Sequence, residues 1–289
     1  MPELPEVEIV MRGLKPVLEG RRVTAVEQRR KDLRFPFPKD FATRLLGKRV
    51  TGLTRRAKYI LATLEGGDCL LIHLGMTGRF TVVTPSGAAR SLDQYYFEAA
   101  DRGKGTHDHV VFSLDDGTRV IYTDARRFGM MDIFASEHKL LKGIGVEPLG
   151  NGLNANFLAE AFRGKKAPLK AALLNQRIIA GLGNIYVCEA LHRAKLSPRR
   201  KAGTLARGSR IDPRLETLAR HIRDVLNDAI AAGGSTLQDF AHTNGDSGAF
   251  QQRFAVYDRE DKACRVCGTV IKRIVQAGRS TFYCRSCQK

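Results

Sequence analysis

The chain has 289 residues, enough for two domains with separate cores, and 48 Lys and Arg against 30 Asp and Glu give it a formal net charge of +18. That imbalance points to a polyanionic partner, nucleic acid first, with a ribosomal or membrane-surface protein as the alternative. No apolar run reaches the length of about 18 residues that a membrane helix needs and no charged-then-apolar leader occurs, so no membrane is expected as a partner and the expected location is cytoplasmic.

The chain opens Met1-Pro2-Glu3-Leu4-Pro5-Glu6-Val7-Glu8. Two prolines interleaved with three carboxylates begin a helix poorly and a strand oddly, and the carboxylates repel one another. One reading is a disordered acidic tail. The other is chemical. Removal of Met1 would leave Pro2 with a free secondary amine, which attacks a sugar aldehyde carbon and forms an iminium, the covalent catalysis usually assigned to lysine. An α-amino group has a reference pKa of about 8, so a useful fraction is neutral near pH 7. Glu3 and Glu6 would stand beside it as proton-transfer groups.

A helix is predicted from about Val7 to Leu18. Short apolar stretches between turn signals then predict strands at Val50–Thr54, Tyr59–Leu64, Cys69–Leu74, Arg79–Val83, His109–Leu114, Arg119–Tyr122 and Met131–Phe134, with hairpin turns at Gly66-Gly67 and Asp115-Asp116-Gly117. Evenly spaced strands of this kind suggest an N-terminal β-sandwich or flattened barrel over 1–135. The stretch 85–105 breaks the rhythm and reads as a surface insertion. His107-Asp108-His109 puts two imidazoles on one strand face, but no Cys or second carboxylate cluster accompanies them, so a second metal site is not expected.

Residues 136–155, rich in Gly, Asn and Pro, read as a hinge. Beyond them helices are predicted over Asn156–Arg163, Pro168–Asn175, Asn184–Ala194 and Pro213–Ala232, giving a helical domain over 156–255. The whole is thus α+β. Cys69 and Cys188 read as core residues. The other four cysteines, Cys264, Cys267, Cys284 and Cys287, form two CxxC pairs sixteen residues apart, the two-knuckle spacing of a tetrahedral zinc site. The expected reducing compartment argues against disulfides. Residues 256–289 therefore read as a hairpin holding one structural Zn2+ with no open coordination position.

Taken together, the chain resembles the formamidopyrimidine-DNA glycosylase family of bacterial repair enzymes, essentially end to end. The resemblance rests on Pro2–Glu8 (PELPEVE), Arg55–Tyr59 (RRAKY), His73–Gly78 (HLGMTG), Tyr122–Gly129 (YTDARRFG), Gly181–Tyr186 (GLGNIY) and the CxxC pairs with Thr281-Phe282-Tyr283, all in the family's order. It implies a helix–two-turn–helix in the second domain, DNA held in a cleft, and a monomer acting on damaged double-stranded DNA. It also implies a bifunctional enzyme that removes an oxidised purine (8-oxoguanine or a formamidopyrimidine) and then cuts the strand by β- and δ-elimination.

By the same resemblance Pro2 is the nucleophile, Glu3 the acid/base, Glu6 a helper that orients the site or holds the terminus, and Lys58 a participant in β-elimination, although its setting also suits phosphate contact. A base inside a duplex must be extruded before chemistry. The resemblance assigns the space it leaves to Met76, Arg126 and Phe128, residue types that can replace stacking and donate to an orphaned cytosine. Phosphate contacts are implied for His107, Lys165, Asn184 and Arg279, with Arg279 also implicated in δ-elimination, and Lys170 is placed near the damaged purine. Gln238 departs from the lysine of enterobacterial members in the expected base-covering loop, which leaves the base preference open. The rival readings are an endonuclease VIII-like glycosylase for oxidised pyrimidines and a DNA-binding protein without catalysis. Leu4 in PELPE and the Arg126-Arg127-Phe128 filler argue against the first, and intact Pro2, Glu3 and Lys58 against the second.

Overall fold

The computed structural model describes residues 2–92, 105–235 and 250–289. Helix α1 (Leu4–Leu18) starts three residues earlier than the sequence predicts, because Pro5 stands in the first helical turn, where its missing N–H would have had no partner. Val7, Val10, Met11, Leu14 and Leu18, at helical spacing, are buried in the core.

Next come β1 (Val23–Gln28), the short α2 (Phe41–Leu45), β2 (Val50–Arg56), β3 (Tyr59–Leu64), β4 (Cys69–His73), β5 (Gly78–Val83), β6 (Ala89–Ser91), β7 (Asp108–Leu114), β8 (Arg119–Asp124) and β9 (Met130–Phe134). They form two antiparallel sheets, a five-stranded one in the order β1-β7-β8-β5-β6 and a four-stranded one in the order β2-β3-β4-β9. Alternate residues of both sheets, among them Leu53, Ile60, Ile72, Phe80, Phe112 and Tyr122, join α1 in one core, the sandwich that the strand spacing predicts. The Gly66-Gly67 and Asp115–Gly117 turns connect β3 to β4 and β7 to β8. The predicted insertion begins as a hairpin, since β6 pairs with β5, and its remainder over 93–104 lies outside the described residues.

This unit comprises the described residues up to Lys142 together with Gly233, Gly234 and Ser235; a second unit comprises 143–232 and 250–289. The first crossing, between 142 and 143, falls within the stretch 136–155 read as a hinge, and the chain returns to the first unit at Gly233. The second unit holds α3 (Ala155–Phe162), α4 (Leu169–Leu173), α5 (Asn184–Arg193), α6 (Pro213–Ala231) and a hairpin of β10 (Lys272–Gln276) and β11 (Arg279–Tyr283). Helix α5 packs on α6 and on β11. Its buried Glu189 accepts the backbone N–H groups of Ala255 (2.8 Å), Val256 (2.9 Å) and Tyr257 (2.8 Å), fastening the segment before the hairpin to the helix. Burial pushes the Glu189 carboxyl up, against the pull of those three donors. Among the described residues no helix is long and apolar enough to cross a membrane.

Candidate active site and zinc centre

The N-terminal segment is not an exposed tail. Pro2 is buried at the mouth of α1, and Glu3 and Glu6 keep only 4% and 2% of their surface. Glu6 Oε2 accepts the backbone N–H of Glu3 at 2.9 Å, while Oε1 accepts the N–H and the hydroxyl of Ser235 at 3.0 and 3.1 Å. Both oxygens are therefore engaged in holding the terminus, and the positive end of the helix dipole favours carboxylates there. Ser235 carries no motif signal of its own and the sequence reading does not find it.

Glu8, the third carboxylate of the opening, meets Arg55 Nε at 2.7 Å and Arg12 Nε at 2.8 Å. Arg55 Nη1 also donates to the carbonyl of Ala57 (3.0 Å), which has a left-handed φ of 54° in the β2–β3 turn. A buried ion pair thus ties α1 to the turn that presents Lys58. Lys58 itself is 7% exposed, so it is no ordinary surface lysine.

Burial, then the nearby charges of Lys58 and Arg34, push the His73 imidazole down to about 4. Its Nδ1 accepts the Gly75 N–H at 3.0 Å, a role open only to an unprotonated nitrogen. The folded value lies below the ordinary 6.5, so between the two the unfolded chain binds the extra proton. Stability is therefore expected to fall as pH drops from 6.5 to about 4, by on the order of 3 kcal/mol from this residue. Thermal melts across that window should show a flatter pH dependence for His73→Gln than for wild type. Parallel curves would assign the loss to other groups.

Two loops meet beyond His73. Gly75 has φ +67°, and a Cβ there would collide with the backbone of Phe128 and Gly129, so the 74–77 and 125–129 loops lie backbone against backbone. Met76 is half-buried, whereas Arg126 and Phe128 are exposed, with the Arg126 guanidinium stacked 4.8 Å from the Phe128 ring centroid. The Asp124 N–H donates to the His107 carbonyl at 3.0 Å, which brings His107 to the same edge. His109 is buried and its Nε2 donates to the Asp124 carbonyl (2.8 Å), a structural duty for the second imidazole of the His-Asp-His run.

In the second unit, Ala277 (φ 49°) and Gly278 (φ 72°) make the two-residue turn of the β10–β11 hairpin, and the exposed Arg279 follows them directly. Lys170 is fully buried. Its Nζ donates to the Ser280 carbonyl (3.0 Å) and the Thr281 hydroxyl (2.7 Å), and Asn184 Nδ2 donates to the same Ser280 carbonyl (3.0 Å). Lys170, Asn184 and Arg279 are thereby brought together around the hairpin turn, with Lys170 turned to the hairpin backbone rather than outward. Lys165 stays outside this cluster, in the loop after α3, where its carbonyl accepts the Gly203 N–H. Gln176, which the sequence does not flag, bridges the Gly181 N–H (2.9 Å) and the Leu182 carbonyl (2.8 Å), and so sets the GLG loop that opens α5.

The sulfurs of Cys264, Cys267, Cys284 and Cys287 all lie within 4.8 Å of one another. The separations are 3.9 Å for Cys264–Cys287, 3.5 Å for Cys267–Cys284 and 3.4 Å for Cys267–Cys287. A tetrahedron with Zn–S bonds of about 2.3 Å requires about 3.8 Å between sulfurs, so the four thiolates fit one zinc ion and fill its coordination. His192 Nε2 stands 3.6 Å from Cys264 Sγ, at N–H···S distance, on the α5 side of the site.

The described residues thus combine a β-sandwich led by a buried Pro-Glu terminus with a helical unit that carries a four-cysteine hairpin fit for zinc. Domain-family comparisons agree along the length: the formamidopyrimidine-DNA glycosylase N-terminal domain matches 1–131, its H2TH domain 144–241, and the zinc finger found in FPG and IleRS 261–289. A curated formamidopyrimidine-DNA glycosylase from Methylobacterium sp. (strain 4-46) is 58% identical over 295 residues, covering 100% of this chain and 99% of that one. Among solved structures, Lactococcus lactis Fpg bound to abasic-site DNA matches with a TM-score of 0.81 at 30% identity, covering 100% of both chains. The wild-type Lactococcus lactis enzyme with DNA containing N7-benzyl-Fapy-dG gives 0.82 at 30% identity, again over 100% of both. The chain belongs to the formamidopyrimidine-DNA glycosylase family.

Proposed function

We infer that this chain is a bifunctional DNA glycosylase that excises oxidised purines, 8-oxoguanine and formamidopyrimidines, from duplex DNA and then cuts the abasic strand. The observation that carries the reading is the burial of Pro2 and Glu3 at the start of α1, with Glu6 fixed by donors from Glu3 and Ser235. Once Met1 is removed, that arrangement would hold a terminal amine in place beside a carboxylate, which a purely DNA-binding protein does not need. The relatives' complexes with Fapy-dG and abasic-site DNA support the substrate class.

In the reaction, the unprotonated Pro2 nitrogen bonds to C1′ of the extruded nucleotide as the glycosidic bond breaks and the base leaves with a proton. Ring opening gives a Pro2 iminium, with Glu3 moving the protons. Loss of a C2′ proton expels the 3′ phosphate, a second elimination expels the 5′ phosphate, and addition of water to the iminium frees Pro2. Lys58 serves the first elimination and Arg279 the second. Glu6 acts by position, because both its oxygens already accept hydrogen bonds.

Met76, Arg126 and Phe128 fill the vacated stack. His107, Lys165, Asn184 and Arg279 meet phosphates, and Lys170 holds the Arg279 turn in place from within. The zinc fixes that hairpin, and the protein works in the cytoplasm as a monomer on one duplex. Two expectations, the removal of Met1 and the base-covering loop at Gln238, fall on residues outside those described, Met1 and 236–249.

Borohydride trapping of Met1-processed protein on a duplex with one 8-oxoguanine opposite cytosine tests the reading. A covalent adduct at Pro2 is expected. An adduct formed only with an oxidised pyrimidine would move the chain to the endonuclease VIII-like reading, and none with either would leave a binding protein.

A further inference from the structure

Asp124 is completely buried, yet it touches no base, phosphate or sugar in the reaction above. Its carboxylate is surrounded by donors. The Thr77 hydroxyl bonds to Oδ1, and Oδ2 accepts the Gly129 N–H (2.7 Å) and the Tyr122 hydroxyl (3.3 Å). The Thr77 oxygen in turn accepts the backbone N–H of Arg126 at 3.1 Å. Asp124 stands at the end of β8, where its own N–H and carbonyl are fixed by His107 and His109. One side chain anchored in the five-stranded sheet therefore grips the loop that carries Met76 and the Gly129 end of the loop that carries Arg126 and Phe128, and through Thr77 it reaches the Arg126 end.

The chemistry of this grip is specific. A buried carboxylate makes charge-assisted bonds to every donor it faces, and each bond stiffens its neighbours in a low-dielectric site. The geometry requires a close fit as well, since a Cβ at Gly129 would strike the Tyr122 hydroxyl and crowd Asp124 Oδ2. Flexible loops would have to be ordered at each encounter, at an entropic cost that preorganised loops avoid.

We propose that Asp124, through Thr77, is a positioning residue that locks the 74–77 and 125–129 loops into one rigid platform, so that Met76, Arg126 and Phe128 enter the duplex as a unit. The proposal rests on the glycosylase reading above and deepens it by separating two steps. Extruding a paired purine requires the platform, because the emptied stack must be refilled and the orphaned cytosine engaged. Cutting a preformed abasic site needs much less of it, because no base is there to be unstacked, while the Pro2 chemistry is the same.

The test compares Thr77→Val, Thr77→Ser and Asp124→Asn in the full zinc-bound chain under single-turnover conditions. Valine keeps the shape of Thr77 without its hydroxyl, and serine keeps the hydroxyl. Thr77→Val and Asp124→Asn are expected to slow excision of 8-oxoguanine opposite cytosine by about 10–10²-fold, the scale of a small misplacement at a reacting centre. Cutting of the same duplex with a preformed abasic site should stay within about threefold of wild type, and the preference for cytosine over adenine opposite the lesion should shrink. Thr77→Ser should restore excision. Parallel loss of excision and abasic-site cutting, or a serine variant no better than valine, would overturn the proposal and leave Asp124 a packing residue. A wild-type chain that processes neither substrate would instead sink the glycosylase reading on which the proposal stands. The Thr77 pair decides the matter even where Asp124→Asn fails to fold.

Discussion

Replacing Pro2 with glycine is expected to slow base excision by about 10³-fold or more while changing the dissociation constant for the lesion duplex by less than about threefold. The separation follows from what each property depends on. Affinity for a duplex comes mainly from Lys and Arg neutralising phosphates, and a chain with a net charge of +18 loses nothing of that when one proline goes. Excision depends on a single nitrogen. A secondary amine gives an iminium that carries a fixed positive charge and draws electrons from C2′, whereas a primary amine gives an imine that must first be protonated. Glycine also frees φ at a residue the fold buries beside Glu3, so the attacking atom loses its fixed direction. The surroundings should survive, because Glu6 remains held by the backbone N–H groups of Glu3 and Ser235. A stronger version blocks the nitrogen altogether: a chain with Met1 retained has an amide at Pro2 and should form no trapped adduct while still binding DNA. If excision and duplex affinity fall together in the glycine variant, the assignment of the nucleophile is wrong.

The division between what the sequence discloses and what it hides has a physical cause. Hairpin strands were legible because β3, β4, β5, β7 and β8 are short apolar stretches between turn signals, β3 and β5 with alternating burial and β4 and β7 as continuous apolar runs. β1 was not, because its burial pattern has one buried residue followed by mostly exposed ones, and its partner β7 lies some eighty residues away in the chain. The start of α1 was misplaced because Pro5 reads as a breaker everywhere except in a first turn. The chemistry-bearing residues stood inside motifs and could be named, whereas their burial could not. Lys58 and Lys170 look like surface lysines in the sequence, yet both are buried, and Ser280 and Thr281 come to Lys170 from a segment more than a hundred residues away. Asp124, Thr77, Gln176 and Ser235 are ordinary polar residues in sequence, and only the meeting of loops makes them structural anchors.

The same logic makes zinc removal a large and local perturbation. Binding of a structural zinc in a small module is worth about 10–16 kcal/mol, most of it folding free energy, because the ligands are not assembled without it. Chelation should therefore disorder 264–289 and release the turn that carries Arg279, which the zinc-side strands and Lys170 hold together. Duplex affinity is expected to fall at least about tenfold with the loss of these cationic contacts. The sandwich should persist, because among the described residues every member of its core lies at or before Ile133 and none comes from the hairpin. Hydrogen exchange followed by mass spectrometry reads both regions in one sample. Protection should vanish over β10 and β11 and remain over β3, β4, β7 and β8, with DNA binding lost and recovered on adding zinc. Cys264→Ser should act in the same direction, since it removes one of four ligands from a site whose sulfurs lie within 4.8 Å of one another. Loss of protection throughout the sandwich strands on chelation would contradict a separable zinc hairpin and would make the metal a support of the entire fold.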